Sequence, residues 1–68
     1  MSDEIQTIVN RLNQPMTRTQ ITNLLRNENP THRERSFRTV FEEVAVEVQA
    51  KVDRGELQKI KNHYTGTG

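Results

Sequence analysis

A helix start signal at residues 17–20, Thr-Arg-Thr-Gln, constrains the fold of this chain more than any other feature. The Thr17 hydroxyl can accept from the Gln20 backbone N–H while the Gln20 side chain reaches back to Thr17, which makes a capping box. Met16 and Ile21 flank this signal at the spacing of a hydrophobic staple. We therefore predict a helix from Thr17 to about residue 26 or 27. Its buried stripe is formed by Ile21, Leu24 and Leu25.

An amphipathic segment precedes this helix. It runs from about Asp3 to about Asn13 and is closed by Pro15, which pushes the preceding residue out of the helical region. Its apolar residues recur at i, i+3, i+4 and i+7, the spacing of one helix face. They are Ile5, Ile8, Val9 and Leu12.

A third and longest helix is predicted from about Thr31 to Arg54, after a turn at residues 27–30. Residues 31–34, Thr-His-Arg-Glu, repeat the capping-box pattern. Gly55 is suited to end the helix in a left-handed cap. The apolar stripe follows a 3.6-residue period and comprises Phe37, Val40, Phe41, Val44 and Val48.

Residues 56–64 are predicted to form a short extended segment, and residues 65–68 a disordered tail. The chain is then one small domain, residues 1–64, because 68 residues with 31% hydrophobic content bury only a thin core. The predicted fold class is mostly α: a three-helix helix-turn-helix core with a short C-terminal β segment.

The composition excludes several classes of function. The chain has no cysteine, which excludes disulfides and thiolate metal sites and favours a reducing, cytoplasmic location. No run of apolar residues approaches the roughly 18 needed to cross a membrane. Neither histidine has triad partners at a predictive spacing, and Gly-rich phosphate loops and metal-ligand spacings are missing. We therefore predict a protein that is not an enzyme, with no cofactor, small-molecule substrate or membrane partner.

Charge is unevenly distributed along the chain. The net charge is +1, but residues 17–38 hold five arginines against two glutamates, which is 5 − 2 = +3. Several of these arginines fall in the first turns of the predicted third helix, where the helix dipole disfavours cations. A phosphate would relieve that conflict; alternatively, Glu34 and neighbouring acids neutralise the arginines as ordinary surface pairs.

The order of elements resembles the winged helix-turn-helix group of DNA-binding domains over roughly residues 5–64. The most similar stretch is residues 52–60, Val-Asp-Arg-Gly-Glu-Leu-Gln-Lys-Ile. The resemblance implies that the third helix enters the major groove, that Leu57 packs back on the core, and that residues 59–64 form the wing. The chain ends before a returning wing strand, so we expect a partial wing, and the third helix is longer than is usual in that family.

These observations predict a small transcriptional regulator that binds double-stranded DNA, with a homodimer supplying specificity on two half-sites. The residues at the start of the third helix would contact the DNA backbone and the major groove. The exposed residues of the second helix and the lysines of the wing would contact phosphates. Alternatively, the second-helix residues are an ordinary solvated surface and the wing lysines belong to a frayed tail. The predicted contact residues are Arg18, Thr19, Asn23, His32, Arg33, Arg35, Arg38, Thr39, Lys59 and Lys61.

A protein-binding module, such as an adaptor or an inhibitor of a larger protein, is the alternative function. The near-neutral total charge and the acidic residues 42–47 favour it. Val46 lies nearly opposite the apolar stripe of the third helix, so we predict that it is exposed. Glu42 and Val46 are the predicted protein contacts, and a dimer seam is a further use of the same face.

Overall fold

The computed structural model describes residues 4–67, in which four helices precede a two-stranded antiparallel hairpin. The predicted class, mostly α with a short C-terminal β segment, is confirmed. The elements are α1 (Glu4–Leu12), α2 (Arg18–Glu28), α3 (Pro30–Arg33), α4 (Phe37–Asp53), β1 (Leu57–Ile60) and β2 (His63–Gly66).

The first two helices begin and end close to the predicted positions. The capping box of α2 is formed, because the Thr17 N–H donates to the Gln20 side chain at 2.9 Å and the Gln20 N–H donates to the Thr17 hydroxyl at 3.2 Å. Helix α1 ends at Asn13, which has a φ of 50° and donates its N–H to the Val9 carbonyl. Asp3, the predicted first residue of α1, lies outside the described residues.

The prediction of one continuous third helix from Thr31 to Arg54 is wrong. Asn29 caps a short helix, α3, by accepting from the Thr31 N–H at 2.9 Å, and Pro30 occupies its first position. Glu34 ends α3, and Ser36 starts α4 by accepting from the Thr39 N–H at 3.2 Å. The chain therefore turns at residues 34–36, and Ser36 is the N-cap of the helix that carries the apolar stripe.

The end of α4 is the predicted glycine cap. Gly55 has a φ of 79°, its N–H donates to the Val52 carbonyl, and the Glu56 N–H donates to the Lys51 carbonyl at 2.8 Å. This is the Schellman pattern, in which glycine accommodates the left-handed conformation without steric cost.

The segment after Gly55 forms a complete hairpin, so the prediction that the chain ends before a returning strand is wrong. Leu57 pairs with Gly66 and Ile60 pairs with His63, which leaves a two-residue turn at Lys61 and Asn62. The prediction that residues 65–68 are disordered is also wrong for residues 65 and 66, which lie in β2. Residue 68 lies outside the described residues.

A backbone pairing ties the hairpin to the loop between α1 and α2. The Met16 N–H donates to the Tyr64 carbonyl at 2.9 Å, and the Tyr64 N–H donates back to Met16 at 2.7 Å. Both side chains are buried, at 1% and 2% exposure. The loop and β2 therefore hold each other, and the hairpin becomes part of the core.

The core unites all the longer elements. Phe37 and Phe41 were predicted as core residues but are only half-buried, and Leu12 is largely exposed. Lys51, by contrast, is fully buried, with its ammonium 3.6 Å from the Glu56 carboxylate. The buried hydrophobic residues are Ile5, Ile8, Val9, Met16, Ile21, Leu25, Val40, Val44, Val48, Leu57 and Tyr64.

Across residues 4–67, none of the helices combines the length and the apolar character that crossing a membrane requires.

Candidate nucleic-acid interface

The Arg33 side chain forms hydrogen bonds with the C-terminal end of α2. Its Nε donates to the Arg26 carbonyl at 3.1 Å and one terminal nitrogen donates to the Asn27 carbonyl at 2.6 Å. These carbonyls belong to the last turn of α2, where the helix dipole attracts a cation. Arg33 therefore caps α2, which is a structural contact that its position in the sequence did not predict.

Arg35 and Arg38 are paired with carboxylates of α4. Arg35, in the turn between α3 and α4, forms an ion pair with Glu43. The Arg38 Nε donates to Glu42 at 3.3 Å, four residues along the same helix. Both pairs are solvent-exposed, so each contributes little stability, but each offsets the positive charge that a phosphate would meet.

His32 lies in α3 and faces the start of α1. Its Nε2 is 3.2 Å from the Glu4 carboxylate, which also accepts from the Asn29 side chain at 3.1 Å. The Asn29 hydrogen bond, followed by the contact with His32, lowers the pKa of Glu4 below its usual value despite partial burial. His32 therefore belongs to a contact that joins α1 to α3.

The predicted cationic cluster at the start of one long helix is not formed. His32 and Arg33 lie in α3, Arg35 lies in the following turn, and Arg38 lies in the first turn of α4. Thr39 is exposed beside Arg38, and its hydroxyl is 2.8 Å from that of Ser36. The break at residues 34–36 has divided the cluster.

The predicted contacts of α2 lie on its exposed surface. Arg18, Thr19 and Asn23 are all exposed, and the first turn of α2 contains no acidic residue. The Arg18 guanidinium is 5.8 Å from the centre of the Phe41 ring on α4. Within the part of the chain that the structure describes, Arg18 has no carboxylate partner, so its charge is available to an anion.

The hairpin presents two lysines. The Lys59 ammonium is 5.9 Å from the centre of the Tyr64 ring, its cross-strand partner. Lys61 is exposed in the turn and has a φ of 56°, which is unusual for a residue with a Cβ. Neither ammonium forms an ion pair within residues 4–67.

The Met16–Tyr64 backbone pairing places the segment before α2 beside the hairpin. Arg18 follows Met16 by two residues, and Lys59 is opposite Tyr64 in the hairpin. The start of α2 and the hairpin are therefore neighbours, although about forty residues separate them in the sequence. We call the surface of Arg18, Lys59 and Lys61 the hairpin surface.

The exposed side of α4 is acidic. Its exposed charged residues are Arg38 against four acids, which is 1 − 4 = −3. Val46 is 71% exposed among them, as predicted from its position opposite the buried stripe. We call the surface of Glu42, Glu43, Val46 and Glu47 the acidic face.

A second cationic surface was not predicted from the sequence. The rings of Phe37 and Phe41 stack with centres 5.8 Å apart, and the Arg26 guanidinium is 5.9 Å from the Phe37 ring. Together with Arg18 over Phe41, these side chains form what we call the aromatic strip. Helical phase alone assigned both rings to the core, because it does not show how much of them α2 covers.

In residues 4–67, no group of three histidine or acidic side chains is placed to hold a metal ion. No protein-family model, no curated protein and no solved structure shows significant similarity to the chain.

Proposed function

We propose that this chain binds double-stranded DNA in the manner of a winged helix-turn-helix domain, with the hairpin surface as its main contact. The observation that carries the proposal is the complete hairpin after Gly55, anchored to the loop before α2 by Met16 and Tyr64. The second strand of this hairpin supplies the returning strand that the sequence did not predict and that the family's wing requires.

The chemistry of the hairpin surface favours phosphate as a ligand. Arg18, Lys59 and Lys61 have no carboxylate partners within the described chain, so a phosphate does not have to displace an internal ion pair. The N–H groups at the start of α2 add a partial positive charge beside Arg18. Contacts of this kind position a protein on DNA without selecting the sequence.

The first turn of α4 would supply the groove contact. Arg38 and Thr39 are exposed there, whereas the acidic residues begin one turn later, at Glu42. Deeper insertion would bring the acidic face towards the phosphates and is disfavoured. We therefore expect a shallow contact by α4 and an affinity that comes mainly from the hairpin surface.

Fluorescence anisotropy with a labelled duplex tests this proposal. Three phosphate contacts give a salt slope of about −2.7, so raising the salt from about 50 to about 200 mM weakens binding about 40-fold. The double substitution Lys59→Glu and Lys61→Glu is expected to weaken binding at least tenfold.

The matched control is Arg11→Glu with Arg35→Glu, which changes the net charge by the same amount. We expect this control to weaken binding by no more than about fivefold, because both arginines already pair with carboxylates and neither belongs to the proposed contact. A larger loss in the control than in the hairpin variant would move the contact away from the hairpin surface. Undetectable salt-sensitive binding at micromolar protein would end the proposal.

We propose protein binding through the acidic face as the second candidate function. The observation that favours it is the 71% exposure of Val46 among glutamates. Val46→Glu should abolish binding to a protein partner and leave DNA affinity nearly unchanged. Arg35→Glu, which removes the ion-pair partner of Glu43, should change partner binding much less than Val46→Glu does. Equal effects of the two substitutions would contradict a site centred on Val46.

A further inference from the structure

We propose that the acidic face of one copy of this chain binds the aromatic strip of another copy, which gives a head-to-tail assembly. This inference rests on the second candidate function and names its partner. It does not depend on DNA binding. Both surfaces are centred on α4, and α2 supplies the two arginines of the strip. The two surfaces match in composition and charge, and they point in different directions around the helix.

The aromatic strip has the composition of an interface. Two stacked rings, Phe37 and Phe41, are half-buried, and guanidinium groups border them at both ends. Aromatic residues and arginine are enriched at the centres of protein interfaces. Arg18 and Arg26 have no carboxylate partner within residues 4–67. A carboxylate from another molecule would pair with either guanidinium group.

The acidic face has the opposite composition. Its centre, Val46, is 71% exposed and apolar, and glutamates surround it. Glu47 has no ion-pair partner within the described residues. Glu42 and Glu43 form weak, exposed ion pairs, so each can exchange its present arginine for an arginine of another molecule. The face therefore offers carboxylates around an apolar centre, just as the strip offers guanidinium groups around an aromatic centre.

The two surfaces cannot meet within one molecule. Phe41 and Val46 are five residues apart on α4, which separates their directions by about 140° around the helix axis. Pairing the acidic face with itself across a two-fold axis would place glutamates against glutamates. Pairing it with the strip of a neighbouring copy places glutamates against arginines and Val46 against the rings. Because the two surfaces point about 140° apart, both cannot contact the same neighbour. The contact is therefore heterologous, and it continues into chains or rings and does not stop at a dimer.

Sedimentation equilibrium of the full chain without DNA tests the assembly. The small apolar contact and the exposed ion pairs predict a dissociation constant of about 100 µM. From about 10 µM to about 1 mM protein, the average mass should rise past twice the monomer mass of 7.9 kDa. Val46→Arg places a bulky cation at the centre of the acidic face, and Arg26→Glu reverses the charge at one end of the strip, so each variant alone should remain monomeric.

An equimolar mixture of the two variants gives the decisive result. The intact strip of Val46→Arg can bind the intact acidic face of Arg26→Glu, and no second interface remains. The mixture should therefore stop at 2 × 7.9 = 15.8 kDa. Thermal unfolding followed by circular dichroism checks that each variant folds. If Arg26→Glu is unfolded, Arg18→Glu reverses the other end of the strip and replaces it.

Three results would overturn the assembly: a monomeric wild type at about 1 mM, a wild type that stops at a dimer, or a mixture that stays monomeric. Lys59→Glu with Lys61→Glu should assemble like the wild type, so loss of DNA binding and loss of assembly are separable. Capture of a different protein by the acidic face, with a wild type that stays monomeric, would retain the second candidate function and refute self-assembly.

Discussion

The arginines around the start of α4 and the lysines of the hairpin are similar cations in opposite electrostatic surroundings. Arg35 and Arg38 each have a glutamate from the following turns of α4, and Arg33 is held by backbone carbonyls. Lys59 and Lys61 form no ion pair within residues 4–67. The arginines of the first region therefore have internal hydrogen-bond or ion-pair partners, whereas the lysines of the hairpin are exposed to solvent.

This difference shows why local charge counts are poor guides to a binding surface. The net charge of +3 was counted over residues 17–38 only. Glu42 and Glu43, which pair with two of these arginines, lie just beyond that range and were not counted. The hairpin contains only two lysines, but neither forms an ion pair within residues 4–67. Availability of a cation depends on which residues the fold places beside it.

The largest expected effect is a difference in stability loss when an aromatic residue of each region is replaced by alanine. Tyr64 is 2% exposed and joins β2 to Met16, so Tyr64→Ala should lower the free energy of unfolding by about 3 kcal/mol or more. Phe37→Ala, at the start of α4, should cost about half as much, because its ring is only half-buried. Urea denaturation measures both, and an equal or larger loss at Phe37 would show that the hairpin is not anchored in the core.

Local signals predicted the parts of the fold that depend on local contacts. The capping box at Thr17 and the glycine cap at Gly55 involve neighbours within a few residues, and both are formed. The break at Ser36 was missed because a second capping pattern, at residues 31–34, lies directly before it. Choosing between the two requires the packing of α4 against α2.

The hairpin could not be predicted for a different reason. Its turn, Lys61–Asn62, lacks the Asn-Gly or Asp-Gly sequence that marks two-residue turns, and Lys61 adopts a φ of 56° instead. The pairing of Met16 with Tyr64 spans 48 residues and leaves no periodic signal. The predicted residues Lys59 and Lys61 therefore lie in the proposed site, but their connection to Arg18 required the structure.

Removing the guanidinium of Arg33 should destabilise the protein more than removing that of Arg35. Arg33→Ala leaves two carbonyls at the end of α2 without their charged donor, which should cost about 1 kcal/mol. Arg35→Ala removes one exposed ion pair and should cost less than about 0.5 kcal/mol. Thermal or urea unfolding compares them, and the reverse order would contradict the assignment of Arg33 as a helix cap.

Substitution of Lys61 by glycine should raise the stability of the protein and lower its affinity for DNA. A left-handed backbone is unfavourable for lysine and accessible to glycine, so Lys61→Gly should stabilise the fold by about 0.5 kcal/mol after the entropic cost of glycine. DNA affinity should nevertheless fall a few-fold, because one phosphate contact is lost. Parallel measurements of unfolding and anisotropy test this, and a gain in affinity would exclude Lys61 from the DNA contact.

The smallest expected effect is a response to acid that distinguishes the two regions. Glu4 joins α1 to α3 through Asn29 and His32, and its lowered pKa in the folded protein means that the charged form stabilises the fold. That contribution is complete above the ordinary pKa of 4.5 and is lost as the pH falls through the lower, folded value. Glu4→Gln should therefore unfold less steeply in acid than the wild type does.

The hairpin supplies the internal control for this measurement, because backbone hydrogen bonds between Met16 and Tyr64 anchor it. Amide exchange at His32 and Tyr64, measured above and below the ordinary pKa of Glu4, should show protection decreasing more at His32 than at Tyr64. A uniform decrease would indicate global acid unfolding without a local release of α1 from α3. A selective decrease at Tyr64 would mean that carboxylates, and not backbone pairing with Met16, hold the hairpin in place, and the contrast between the two regions would then be wrong.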